Sequence, residues 1–228
     1  MSEWWTYTLS SFLLFSPRTY YRTIELYNLS IWPAQLAGVA IGLAMVALLF
    51  GKRGHRDQII AALLAACWLW VAWAFHYQRY AQINWVAPWF AAAFAFQAML
   101  LVIVGVIAGR IVLQPASGRE FWIAVSLVAV TVLGYPLLAP LTGRAWITAE
   151  IFGVAPDPTA IATVAALGLV RGRIRSLLLV VPLLWCAVTA ATLWAMDAPE
   201  AVVAAGAALL ALLPPARGMR NGEPRAMR

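Results

Sequence analysis

From residue 32 to residue 213 the chain is cut into apolar runs close to the length that crosses a lipid bilayer, and this pattern constrains the fold more than anything else in it. A hydrocarbon core of about 30 Å needs roughly 20 residues of helix at about 1.5 Å each. The runs fall at residues 32–50, 59–77, 86–109, 121–141, 159–170, 176–194 and 199–213, the last stopped by Pro214-Pro215. Hydrophobic residues make up 64% of the 228 and charged residues 11%, where soluble domains carry roughly a quarter charged. A chain of this size cannot hide that much apolar surface in its own core, so lipid has to cover it. Backbone polar groups must be satisfied within each span, which selects helices. The sequence therefore predicts an all-α, polytopic membrane protein with about seven transmembrane helices and a short or broken fifth. Residues 1–31 form an N-terminal interfacial segment, 32–213 the membrane domain and 214–228 a basic tail.

Charge placement predicts the orientation. The first run ends in the basic turn Gly51-Lys52-Arg53-Gly54-His55-Arg56, after which Asp57 is expected to cap the second helix. If that turn is cytoplasmic, alternation across seven spans puts Arg110, Arg119, Arg171, Arg173, Arg175 and the four arginines of the tail on the same side. Twelve of the 16 Lys and Arg residues then lie inside, and only Arg18, Arg22, Arg79 and Arg144 lie outside. Trp32, Trp73, Trp85, Trp89, Trp146 and Trp194 all fall near the expected outer interface. The expected topology is N-terminus out, C-terminus in. A six-helix layout misplaces either the Arg171–Arg175 cluster or the tail.

The N-terminal segment reads as a short helix on the membrane surface. Ser16-Pro17 has N-cap and N1 character, and Arg18, Arg22 and Glu25 share a helical face, with Trp4 and Trp5 as further anchors. A lid over an outward-facing cavity is the functional version of the same segment. Gly38 and Gly42, and Gly105 and Gly109, make GxxxG pairs that imply close helix contacts within the subunit, in a homo-oligomer or in a larger membrane complex. No internal repeat supports an inverted-repeat transporter.

Chemistry is expected around residues 135–163. Pro136 and Pro140 disturb the end of the fourth helix, and residues 147–152 are too short to span and too apolar for a plain loop, so they read as a re-entrant or interfacial turn. Asp157-Pro158 resembles a helix start, with Asp157 as N-cap. A helix over 159–170, about 18 Å long, would begin below the surface and turn free N–H groups, near Thr159, toward a polar ligand. Glu150 is the leading candidate, because a carboxylate near lipid has to be paired or wet. Arg144 or Arg79 is its expected partner if the role is structural. His76 could carry protons, or simply hydrogen-bond at the interface. Gln97 is expected to bond a neighbouring helix. The candidate ligand site is thus Glu150, Asp157, Thr159, His76 and Arg144.

Several functions are excluded. The only lysine, Lys52, sits in a turn, which removes a retinal Schiff base, and His55 and His76 belong to opposite sides, which removes bis-histidine haem. No cofactor or metal is expected, since zinc or di-iron spacing, a P-loop and a GxSxG serine-hydrolase set are all missing from the sequence. The charge of +7 is distributed over loops in the manner of orientation signals rather than a nucleic-acid surface. Cys67 and Cys186 lie in apolar runs and read as small core residues.

Met1-Ser2-Glu3-Trp4-Trp5-Thr6-Tyr7, Phe15-Ser16-Pro17-Arg18-Thr19-Tyr20-Tyr21 and Ala155-Pro156-Asp157-Pro158-Thr159-Ala160 resemble an uncharacterised family of bacterial multi-pass inner-membrane proteins. That resemblance implies a bacterial inner-membrane setting and no activity. Three classes of function are carried forward: a small permease or ligand-binding protein with an outward-facing site at the break between the fourth and fifth helices, a membrane enzyme acting on a lipid or isoprenoid, and an accessory subunit of a membrane complex. The first is preferred. Membrane lipids and a small-molecule or lipid ligand are the expected partners.

Overall fold

The computed structural model describes residues 15–52, 54–113 and 118–212. The expected anchors Trp4 and Trp5, Arg53 of the basic turn, and the tail at 214–228 lie outside them. Among the described residues every regular element is helical, apart from an isolated antiparallel bridge between Leu113 and Val170.

Helix α1 (Pro17–Ile31) begins as the sequence predicts, with Ser16 Oγ accepting from Thr19 N at 3.2 Å and Pro17 at the position whose missing N–H would be unpaired anyway. Helix α2 (Ala34–Leu49) meets it at 89°. Helix α3 (Arg56–Trp70) continues through the π-helical stretch Val71–Tyr77 and the turn Tyr80–Gln82, and α4 (Ala87–Leu100) continues through π-helical Leu101–Ile107. Helix α5 (Gly118–Ala129) passes through π-helical Val130–Gly134 and the turn Tyr135–Leu137 into the short α6 (Leu138–Leu141). Helices α7 (Pro156–Leu167), α8 (Arg173–Ala195) and α9 (Ala201–Leu212) complete the described chain.

Four continuous helical stretches, Arg56–Gln82, Ala87–Ile107, Gly118–Leu141 and Arg173–Ala195, are long and apolar enough to cross a membrane, and the bent α1–α2 pair makes up to five. The seven apolar runs of the sequence are thus not seven equivalent helices. The fifth run forms α7, which has 12 residues, all of them buried. It is the central post of the fold, packed by α3, α5, α8 and α9. Its alanines and threonines let those helices approach closely, and its apolar faces meet protein instead of lipid. An apolar run reports removal from water, and here the covering medium is the rest of the chain.

Gly38, Gly42 and Gly105 sit at close contacts within the chain, whereas Gly109 lies past its helix with φ +58°. Gly38 and Gly153 lie back to back, with a Cβ at Gly153 only 3.2 Å from Gly38 Cα and 3.1 Å from Cys67 Sγ. Gly153 also has φ +83°, which side-chain-bearing residues rarely adopt. Gly42 faces Val132 of the α5 stretch, and Gly105 faces Ala61 of α3. Both cysteines are buried and free, as expected. The six tryptophans assigned to one interface are all exposed, between 59% and 72%, while Trp68 and Trp185 are buried.

Asp57 does not cap its helix. His55 holds that position, and Asp57, two residues on in the first turn, accepts from Arg56 Nε at 2.7 Å and Leu113 N at 3.1 Å. Arg56, buried, also donates to the carbonyls of Gly51 and Leu113. The two side chains thus tie the end of α2 to the segment after α4, because a carboxylate beside a guanidinium gains more from that pair than from one backbone N–H.

Candidate functional site

The site forms where the connection 142–155 folds back into the helices. Its apolar stretch contains a single helical turn, Trp146–Thr148, and no longer regular element, so several of its carbonyls need partners. Helix α1 supplies them: Asn28 Nδ2 donates to the carbonyls of Ile147 (2.7 Å) and Ala149 (2.9 Å), and Tyr27 OH donates to that of Val154 (2.7 Å). Gln35 Nε2 in turn fixes the Asn28 carbonyl at 2.7 Å. The connection is thus held against the helices by the polar residues of α1 and by Gln35 at the start of α2.

Asp157 sits in the first turn of α7, but Ala155 is the N-cap and Pro156 the first residue, so the expected capping role is wrong. The carboxylate points away from its own helix start. Its Oδ1 accepts from Trp185 Nε1 at 2.8 Å and Thr189 Oγ1 at 2.6 Å, and its Oδ2 from Tyr135 OH at 3.4 Å. Trp185 and Thr189 lie four residues apart on one face of α8. Tyr135 follows directly on the π-helical stretch of α5, where one extra residue per turn reorients the side chains beyond it.

Glu150 is buried, and its Oε1 has no hydrogen-bond partner. Burial first, and then the charge of Asp157, push this carboxyl well above the ordinary value of 4.5, with Arg144 opposing. The expected Glu150 ion pair does not form. Arg144 Nη2 lies 2.6 Å from Glu200 Oε1 instead, its Nε reaches Thr142 Oγ1 at 3.2 Å, and its guanidinium covers the Tyr21 ring at 4.4 Å. Thr142 Oγ1 donates to the same Glu200 oxygen at 3.1 Å. Arg79, the other expected partner, makes no ion pair among the described residues.

His76 is fully buried in the π-helical stretch of α3, with neither ring nitrogen partnered. It lies 4.4 Å from the Phe94 ring and 4.8 Å from that of Trp185, the indole that holds Asp157. Its ring is thus packed among aromatic side chains and bonds no polar group among the described residues. Thr159 closes the loop before α7, accepting from Gly153 N at 2.9 Å and donating to Ala155 O at 2.7 Å. The Thr159 hydroxyl thus serves the loop before α7; no side chain caps the helix, and Pro156 and Pro158 have no N–H to offer a cavity. Gln97 bonds a neighbouring helix as expected, through Leu178 O at 3.0 Å. No group of histidine, cysteine and acidic residues among those described could hold a metal ion.

Three buried carboxyls, Glu150, Asp157 and Glu200, therefore share one guanidinium. Comparison by sequence matches residues 18–219 to a family profile described as a family of unknown function. The chain belongs to DUF6064. No curated protein and no solved structure matches it. In this DUF6064 protein the matched region runs from α1 through α9 and so contains the whole carboxyl cluster. Glu200, Trp185 and Thr189 were missed from sequence. The Trp185–Thr189 spacing on one face of α8 is the signal that could have drawn attention to that helix.

Proposed function

We propose that this protein is a small permease of the bacterial inner membrane, crossing it seven times with its N-terminus outside, in which the carboxyl cluster binds and releases a proton coupled to movement of a small-molecule ligand. The observation carrying this reading is the excess of buried acid over base: with all three carboxyls ionised, Glu150, Asp157, Glu200 and Arg144 would leave two uncompensated negative charges in the interior. A low-dielectric interior does not hold such charge without a cation or a proton. Asp157 has three donors to hold a carboxylate, whereas Glu150 has none on its buried oxygen, so Glu150 is the group to which we assign the proton. Buried ionisable residues in membrane helices are characteristic of proton and substrate pathways. Arg144 and Tyr21, at the edge of the cluster, form its outer wall.

The wild-type protein, reconstituted with a pH dye inside the vesicles, should carry a substrate-dependent proton flux with a panel of small metabolites. Glu150→Gln should abolish it and His55→Gln should not. A flux that survives Glu150→Gln removes the cluster as the coupling site.

The topology has its own check. Single cysteines after Arg175 and at Arg228 should be labelled from the cytoplasm only, and a label at Leu26, which α1 exposes, should be quenched by shallow and not by deep lipid probes. Periplasmic labelling at either arginine position would break the seven-span arrangement.

A further inference from the structure

We propose that a groove beside α1 binds the headgroup phosphate of an anionic membrane phospholipid. The groove has a volume of about 750 Å³ and is walled by α1 on one side and by Gln82, Ile83 and Thr148 on the other. Its charged groups are Arg18, Arg22 and Glu25. Glu25 is bound to Arg22 at 2.6 Å, whereas Arg18 is exposed and has no ion pair among the described residues. One positive charge is thus left over, with Thr19 and Thr23 hydroxyls on the same wall.

Two features select a lipid over a soluble anion. Leu26 and Ile83 give the groove an apolar end suited to the first carbons of an acyl chain. The flanking residues Trp146 and Trp85 are 62% and 72% exposed, two residues from Thr148 and Ile83 respectively. Exposed tryptophans gather at the headgroup level of a bilayer. A helix at 89° to an apolar neighbour lies along that level when the neighbour crosses. A guanidinium there meets phosphate oxygens in the geometry it binds best. The groove shares Tyr21 with the edge of the carboxyl cluster but is lined by none of its carboxyls, so this proposal does not depend on the permease reading.

The test is native mass spectrometry of the full-length protein, delipidated and then offered phosphatidylglycerol and phosphatidylethanolamine in equal amounts. Preferential retention of phosphatidylglycerol is expected, reduced several-fold by Arg18→Gln and maintained or increased by Glu25→Gln. Thermal melts of Arg18→Gln should match wild type, since that side chain holds no ion pair among the described residues. Equal retention of the two lipids, no effect of Arg18→Gln, or full displacement by millimolar inorganic phosphate alone would each overturn the proposal; the last result would make the groove a soluble-anion site.

Discussion

Asp157→Ala is expected to destabilise the protein by about 3 kcal/mol or more, seen as a large fall in melting temperature in detergent. The substitution leaves the Trp185 indole, the Thr189 hydroxyl and the Tyr135 hydroxyl pointing at a space without an acceptor. Each buried donor so orphaned costs roughly 1–3 kcal/mol, and relief of the buried carboxylate offsets part of the sum. Asp157→Asn retains an acceptor oxygen and should recover much of the loss. Thr189→Val in the Asp157→Ala background should cost less than Thr189→Val alone, because the hydroxyl it removes has already lost its partner. Additive losses would mean that Asp157 does not organise this face of α8.

How far the sequence reveals this protein depends on which physical signal each element leaves. Helices of spanning length are legible because lipid demands an unbroken apolar run, and Arg56–Gln82, Ala87–Ile107, Gly118–Leu141 and Arg173–Ala195 each lie over an expected run. The start of α1 is legible because Ser16-Pro17 is a local signal. Helix α7 reads from sequence as a lipid-facing span, because its composition is the same whether lipid or four helices surround it. Asp157 illustrates a different limit. Its sequence position is that of a cap, but its partners lie 22, 28 and 32 residues away, on elements whose approach no local pattern encodes. Glu150 stood out because a carboxylate in an apolar stretch is costly wherever it lies. Its supposed partner did not, since Arg144 had a choice of acids and only the fold places Glu200, from the far end of the chain, beside it.

That exchange of partners gives the second large effect, a separation between Glu150 and Arg144. Arg144→Ala should destabilise by about 3 kcal/mol, because it strands the buried Glu200 carboxylate. Glu150→Gln should do the reverse. The folded state holds the Glu150 proton more tightly than the unfolded chain does, since burial and Asp157 raise it above 4.5. For a group raised on folding, the stabilisation is complete below the unfolded value and is lost as pH rises toward the folded one. Wild-type stability should therefore decline from about pH 4.5 upward through this residue, while Glu150→Gln, which has no proton to lose, should escape that decline. The variant's melting temperature should equal or exceed that of wild type at pH 7, by a margin that grows as pH rises from about 4.5. Its proton flux should nevertheless be absent. A more stable protein that no longer moves protons is the signature of a carboxyl kept for function at the expense of stability. If instead Glu150→Gln melts lower than wild type across that range, Glu150 is a structural acid and the proton site lies elsewhere.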